Sequence, residues 1–347
     1  MRSNRRLGWA LLGFTLYLTV CVVGGVFLAD GAMHPGRRSL REDEIADFRQ
    51  AVQAMKAEMT DVSITTPDRV VLKGWMIVPL RTNGSAVVVF HGLGDNRLGM
   101  IGYGELLLAH GFVVLLPDAR AHGASGGLLA TYGLLERNDI RQWFDFLRSR
   151  TMAGCVYGMG ESMGAAQLLQ SLAAGAQFCT VVAESPFSNF REIAYDRMGQ
   201  PFHLGPWVGR TILRPVVEAA FLRAQWKYGL NMQQVSPEEA LSKTHIPTLL
   251  IHGQIDSNIP VRHSRRLHLL DPETELWEVP HANHCGAMAT APEEFETRLL
   301  EWFGGKSSSL HSSSTVVKRA VGFALPASRR RPPRRAHLAP CWEGPAF

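Results

Sequence analysis

The sequence predicts one α/β body: a mostly parallel sheet of about eight strands with helices on both faces. Three observations predict it. Continuous runs such as Ala86-Val87-Val88-Val89-Phe90 read as strands buried on both faces, because a solvated face requires alternating polar residues. These runs alternate with helix-permissive stretches across short connections, the pattern of crossovers between parallel strands. At one junction Gly160-Glu161-Ser162-Met163-Gly164 joins the apolar run 155–159 to a helix-forming run, 165–174. A serine on so sharp a turn needs glycine two residues away on either side, since a Cβ there would crowd the turn or the next strand.

In chain order, residues 7–29 form an apolar run preceded by Arg2, Arg5 and Arg6. Its 23 residues as a helix would cross about 30 Å of hydrocarbon. Residues 1–30 are therefore expected to be a transmembrane anchor or a signal sequence; Ala29-Asp30-Gly31-Ala32 offers small residues near a possible cut. The basic flank favours a cytoplasmic N-terminus and a membrane-anchored body on the periplasmic or extracellular side. Arg37, Arg38 and Arg41 argue the other way by resisting translocation. Residues 31–59, charged and helix-permissive, read as a linker.

The body is expected over 60–303. Residues 62–66 and 70–78 read as an opening strand pair, followed by the strand at 86–90 and a helix at 96–110. A strand at 112–116 leads to a helix at 133–150, whose stripe is Leu134, Ile140, Trp143, Phe144 and Leu147. After the serine turn comes a strand at 178–183. Regularity then lapses over 187–245, which carries Pro201, Pro206, Pro215 and Pro237. That is too long for an ordinary loop and reads as a small lid insertion. A strand at 247–252, a helix at 261–270, a strand at 274–280 and a helix at 292–303 complete the body. Residues 304–347, rich in Ser, Arg and Pro, read as a disordered basic tail.

The net charge of +5 belongs to the ends. Residues 1–41 carry +5 and 304–347 carry +7, leaving −7 on the middle. An acidic body argues against nucleic acid as a partner. The five cysteines show no paired spacing for a disulfide or a zinc site and read as small core residues. Cys285, beside His284, is the one to watch.

A serine hydroxyl is a poor nucleophile at neutral pH; it needs an adjacent base, itself held by a carboxylate. Asp256 follows the strand ending at His252-Gly253, and His284 lies in the loop after the last strand. Both fall at carboxyl ends of expected strands, within reach of Ser162. Oxyanion stabilisation needs two backbone N–H groups. Met163, at the helix start, and Leu93, in the turn after 86–90, are the candidates.

Read together, five segments resemble successive signatures of the α/β-hydrolase superfamily. They are His91-Gly92-Leu93-Gly94-Asp95-Asn96, Asp118-Ala119-Arg120-Ala121-His122-Gly123-Ala124-Ser125-Gly126, the serine pentapeptide, Gly253-Gln254-Ile255-Asp256-Ser257-Asn258-Ile259-Pro260, and His284. The branch they most resemble is serine-aminopeptidase-like and dienelactone-hydrolase-like. The resemblance implies the α/β-hydrolase fold, with Ser162 as nucleophile, Asp256 as orienting acid and His284 as base. Ala121 stands where the family usually has glycine, and His281 competes with His284. The implied activity is a serine hydrolase cleaving carboxylic esters or thioesters through an acyl-enzyme. An aminopeptidase-like peptidase is the alternative, needing Glu161 or Glu184 for the substrate amine; a non-catalytic binding protein is the other. Trp207, Phe221, Leu222, Trp226 and Tyr228 in the insert either meet an apolar acyl or aromatic moiety or simply pack the insert onto the body; the expected partner is a small-molecule or lipid-like acyl substrate. No metal or organic cofactor is implied. His91 and His122 are expected to shape loops, and Glu136 and Asp139 to engage Arg120 or neighbours and so fix the loop after Gly126.

Overall fold

The computed structural model describes residues 2–311. The strands are β1 (Ala57–Thr65), β2 (Val71–Pro79), β3 (Ser85–Phe90), β4 (Val113–Pro117), β5 (Cys155–Glu161), β6 (Val181–Glu184), β7 (Thr248–Gly253) and β8 (Glu275–Val279). They form the expected eight-stranded sheet, in the order β1-β2-β4-β3-β5-β6-β7-β8. Only the β1–β2 and β2–β4 pairings are antiparallel; every pairing from β4 to β8 is parallel.

The helices are α1 (Arg2–Met33), α2 (Glu42–Ala54), α3 (Ile101–Ala109), α4 (Glu136–Arg150), α5 (Ser162–Ala173), α6 (Phe190–Gly199), α7 (Pro206–Arg210), α8 (Arg214–Tyr228), α9 (Pro237–Leu241), α10 (Arg262–Leu270), α11 (Ala287–Thr290) and α12 (Pro292–His311). Strand side chains alternate between two cores, as their period of two dictates. Val87 and Val89 pack with Phe48, Leu107, Leu299 and Phe303 from α2, α3 and α12. Ala86, Val88 and Phe90 face the other way, onto Trp143, Leu147, Leu168 and Leu267 from α4, α5 and α10.

Three expectations need correction. Residues 31–59 are not a linker: α2 buries Phe48 and Val52 in the first core, and β1 begins at Ala57. The lid insertion is helical, not irregular. Pro201, Pro206, Pro215 and Pro237 each stand at the first or second residue of a helical turn. There the missing N–H has no intrahelical partner and the fixed φ favours helix, so these prolines start helices instead of breaking them. Third, Cys155 and Cys179 form a disulfide. The segment leading into β6 pairs with β5 through Cys179 N–H to the Val156 carbonyl at 2.9 Å. That pairing sets the two Cα atoms 5.7 Å apart across a sequence gap of 24 residues. Helix α12 carries the chain to His311, and the rest of the tail, 312–347, lies outside the described residues.

Candidate active site

Ser162 begins α5 directly after β5, with a φ of 51°. This left-handed conformation costs a residue with a Cβ about 1 kcal/mol, so the surroundings must hold it. The flanking glycines show how. A Cβ on Gly160 would come within 2.8–2.9 Å of Gly164 and Ala165 backbone. One on Gly164 would lie 2.5 Å from the His91 carbonyl oxygen and 2.6 Å from that of Phe90. Strand β3 and the helix start can therefore close on the serine only because both positions lack side chains.

The structure brings Ser162, His284 and Asp256 together. Ser162 Oγ lies 2.9 Å from His284 Nε2, and His284 Nδ1 lies 2.8 Å from Asp256 Oδ2. With Nδ1 donating to the carboxylate, Nε2 is left as the acceptor facing the hydroxyl, the arrangement in which an imidazole takes a serine proton. Asp256 Oδ1 also accepts from the N–H groups of Asn258 and Ile259, at 2.9 and 2.8 Å. Burial pushes the Asp256 carboxyl up, but hydrogen bonds from His252 and His284 outweigh it and hold the group well below the usual carboxylate range.

His252 is a contributor that the sequence reading did not single out. Fully buried at the end of β7, its Nε2 donates to the Ile259 carbonyl at 2.8 Å and lies 3.3 Å from Asp256 Oδ2. Its Nδ1 accepts from Ser264 Oγ at 2.7 Å. A histidine four residues before the acid, inside an otherwise aliphatic strand, was the available signal. His281, the rival base, is exposed and has a φ of 62°. The hydrogen bond to Ser162 comes from His284 instead.

Leu93 and Met163 line the same cleft as Ser162. Met163 is the second residue of α5, so its N–H has no intrahelical acceptor. The turn that presents Leu93 is tied down by His91, whose Nδ1 donates to the Gly92 carbonyl at 2.8 Å. His91 Nε2 accepts from Ala119 N–H at 3.0 Å. His122 packs against His91 with ring centroids 5.3 Å apart, and burial lowers its pKa to about 3, keeping it neutral. Ala121 adopts a φ of 61°, the conformation for which glycine is favoured. Arg120 grips Asp139 through two bonds of 2.6 and 2.7 Å, while Glu136 accepts from Thr131 and Gly133 instead.

Glu161 and Glu184 are buried and accept from Tyr103 Oη at 3.4 and 2.9 Å, while Glu161 Oε1 lies beside Gly92, close to Ser162. Glu184 also accepts from Ala287 N–H at 3.0 Å, which ties down the loop carrying His284. Burial raises its pKa against the pull of these donors. Neither glutamate lines the cleft.

The cleft, of about 110 Å³, is enclosed by the helical insert and the end of α1. Phe190, Ile193, Val217 and Phe221 come from α6 and α8, and Leu28, Ala29 and Met33 from α1. Arg197 is the only charged side chain among the lining residues described. Among the described residues no group of histidine, cysteine and carboxylate side chains has the arrangement of a metal site.

Residues 87–298 match the model of the alpha/beta hydrolase family, and the chain belongs to that family. An uncharacterized protein of Bacillus subtilis (strain 168), YqkD, is 32% identical over 202 residues, which cover 57% of this chain and 63% of that protein. The match thus spans less than two thirds of that relative's length. The uncharacterized protein YfhR of Escherichia coli (strain K12) is 27% identical over 239 residues, 66% of this chain and 74% of its own. Among solved structures, the Pyrococcus furiosus esterase Pf2001 superposes with a TM-score of 0.61 at 25% identity, covering 78% of this chain and 97% of the esterase. The chain is an alpha/beta hydrolase with esterases among its structural neighbours.

Proposed function

We propose that the protein is a serine hydrolase that cleaves carboxylic ester or thioester bonds through an acyl-enzyme on Ser162. The observation that carries this reading is the unbroken chain from Ser162 Oγ through His284 to Asp256, at 2.9 and 2.8 Å. As Oγ attacks the acyl carbon, His284 Nε2 takes its proton and Asp256 holds the resulting imidazolium. The carbonyl oxygen, now an oxyanion, accepts from the N–H groups of Leu93 and Met163. Collapse expels the alcohol or thiol, which leaves with the proton from His284. Water then repeats the sequence and frees the acid.

The apolar cleft supports an acyl substrate. Against an aminopeptidase stands the absence of any carboxylate among the described lining residues, since a substrate ammonium would need one. The test is fluorophosphonate labelling of wild type and of Ser162→Ala: labelling confined to wild type is expected, and labelling that survives the substitution would refute the assignment.

We further propose that α1 is retained as a membrane anchor with the body outside the cytoplasm. Its residues 4–33 are long and apolar enough to cross a membrane. Ala29 and Met33 are buried against the body, so a cut near Ala32 would strip part of the cleft wall. The Cys155–Cys179 disulfide supports an oxidising compartment. Alkaline carbonate should leave the protein in the membrane pellet, and protease should digest the body in intact spheroplasts. Protection until the membrane is permeabilised would reverse the assigned side.

A further inference from the structure

Helix α1 and the insert helix α8 run side by side in the same direction, with the contacts advancing together along both. Tyr17 Oη donates to the Ile212 carbonyl. Further along, Gly25 meets α8 so closely that a Cβ would lie 2.5 Å from Ala219 Cβ and 2.6 Å from the Val216 carbonyl oxygen. At the end Asp30 accepts from Arg223, Lys227 and Tyr228 at 2.7–3.3 Å.

This register has a consequence for depth. The apolar run covers 7–29, yet among the described residues the hydrogen bonds to the insert begin at Tyr17. The segment 7–16 that precedes this contact is only about 15 Å long, half of the roughly 30 Å of hydrocarbon in a bilayer. A membrane crossed by α1 must therefore take the tip of the insert, and the first turns of α8, into one leaflet.

The surface of the insert suits that position. Trp207, Ile212, Leu222 and Trp226 are 61%, 53%, 70% and 80% exposed. Ile212, level with Tyr17, lies deepest, while Leu222 and Trp226, one turn apart on a face of α8, stand level with Asp30 at the boundary with the headgroups. Charged neighbours on the insert are paired, Arg210 with Glu192 and Arg214 with Glu218. The apolar run stops at Ala29 and polarity begins at Asp30. Leu28, Ala29 and Met33, at that same level, wall the cleft that contains Ser162. In a bilayer the ester carbonyls of lipids lie at this boundary between hydrocarbon and headgroups.

We propose that α1 and the insert together form a leaflet-embedded entry that passes the acyl chain of a membrane lipid ester to Ser162. The inference rests on the serine-hydrolase and anchor readings above and narrows the substrate to lipids drawn from the bilayer.

The test uses the full chain in phosphatidylcholine vesicles. Hydrolysis of 4-methylumbelliferyl palmitate dissolved in the vesicles is compared with hydrolysis of p-nitrophenyl acetate in water. In the double variant Leu222→Glu, Trp226→Glu, palmitate turnover is expected to fall about tenfold or more while acetate turnover holds within about twofold. Unchanged palmitate turnover would overturn the proposal. Should both rates collapse, tryptophan quenching by phosphatidylcholine brominated at mid-chain decides. Wild type is expected to quench more than Trp207→Phe, and equal quenching overturns the embedded entry. Acetate turnover that survives Ser162→Ala would instead overturn the hydrolase reading, so the two failures are distinguishable.

Discussion

Asp256 Oδ2 lies 2.8 Å from His284 Nδ1, with His252 Nε2 at 3.3 Å from the same oxygen. An amide at this position would lose the charge that steadies a protonated His284 and would favour the wrong imidazole tautomer. Asp256→Asn should therefore lower kcat by about four orders of magnitude with KM little changed. The same contacts make Asp256 a source of acid sensitivity. Its folded-state pKa is depressed, so its contribution to stability is complete above the unfolded carboxylate value near ~3.9 and is lost as pH falls below it. Thermal unfolding between pH 5 and 2 should show a shallower loss in Asp256→Asn than in wild type; parallel curves would contradict the assignment.

The Cys155–Cys179 bridge closes a loop between two adjacent parallel strands, with 24 residues of separation. Removing it restores freedom to the unfolded chain. Cys155→Ser or Cys179→Ser should cost about 2–4 kcal/mol, read as a lowered Tm in non-reducing buffer. Reductant should lower the Tm of wild type and leave the variants where they are. An unshifted wild-type Tm would show that the bridge contributes nothing.

Much of the site was legible because its chemistry sits at strand ends that simple patterns reveal. Ser162 lies between a buried run and a helix former, and Asp256 and His284 follow runs ending at Gly253 and Val279. What was not legible depends on contacts distant in sequence. Cys155 and Cys179 meet only because β5 and β6 pair in parallel. Phe48 and Val52 join the core only because α2 folds back beside α3. The wall supplied by Leu28, Ala29 and Met33 has no sequence signal at all, since an apolar run bound for a bilayer and one packed on a lid share the same composition. The prolines of the insert misled for a local reason: the same residue starts a helix at its first turn and ends one further in.

His263 on α10 links the insert to the body. Its Nε2 donates to Asp196 Oδ2 on α6 at 2.7 Å, and its Nδ1 accepts from Ser188 N–H at 3.1 Å. Arg262 also reaches Asp196, at 2.5 Å, and Glu192, at 3.1 Å. Burial lowers the His263 pKa, although Asp196 pulls the other way. Such a group contributes stability that is full above the unfolded value near ~6.5 and is lost as pH falls through it. His263→Gln should lower stability at pH 7.5 by about 1–3 kcal/mol and flatten the fall of Tm between pH 7.5 and 5.5. A variant with the wild-type slope would assign that fall to other groups.

Arg197 is a charge in an otherwise apolar cleft. It donates to Gln200 Oε1 at 3.1 Å, and no carboxylate among the described residues lies within ion-pairing range of it. Burial depresses its pKa, with Tyr132, Asp256 and Asp196 acting in the opposite sense from further away. A guanidinium kept in such a place is unfavourable unless something neutralises it, and a substrate anion beside the scissile ester would do so. Wild type should then prefer an ester carrying a carboxylate or phosphate over its neutral counterpart of equal chain length. Arg197→Met should remove that preference, lowering kcat/KM for the anionic ester by about tenfold or more. Turnover of the neutral ester should hold or rise, because an apolar side chain then fills the site. The measurement is kcat/KM for a matched pair of p-nitrophenyl esters, one neutral and one ending in a carboxylate, on both proteins. Equal losses on the two esters would mean that Arg197 supports the insert through Gln200 and does not meet the substrate.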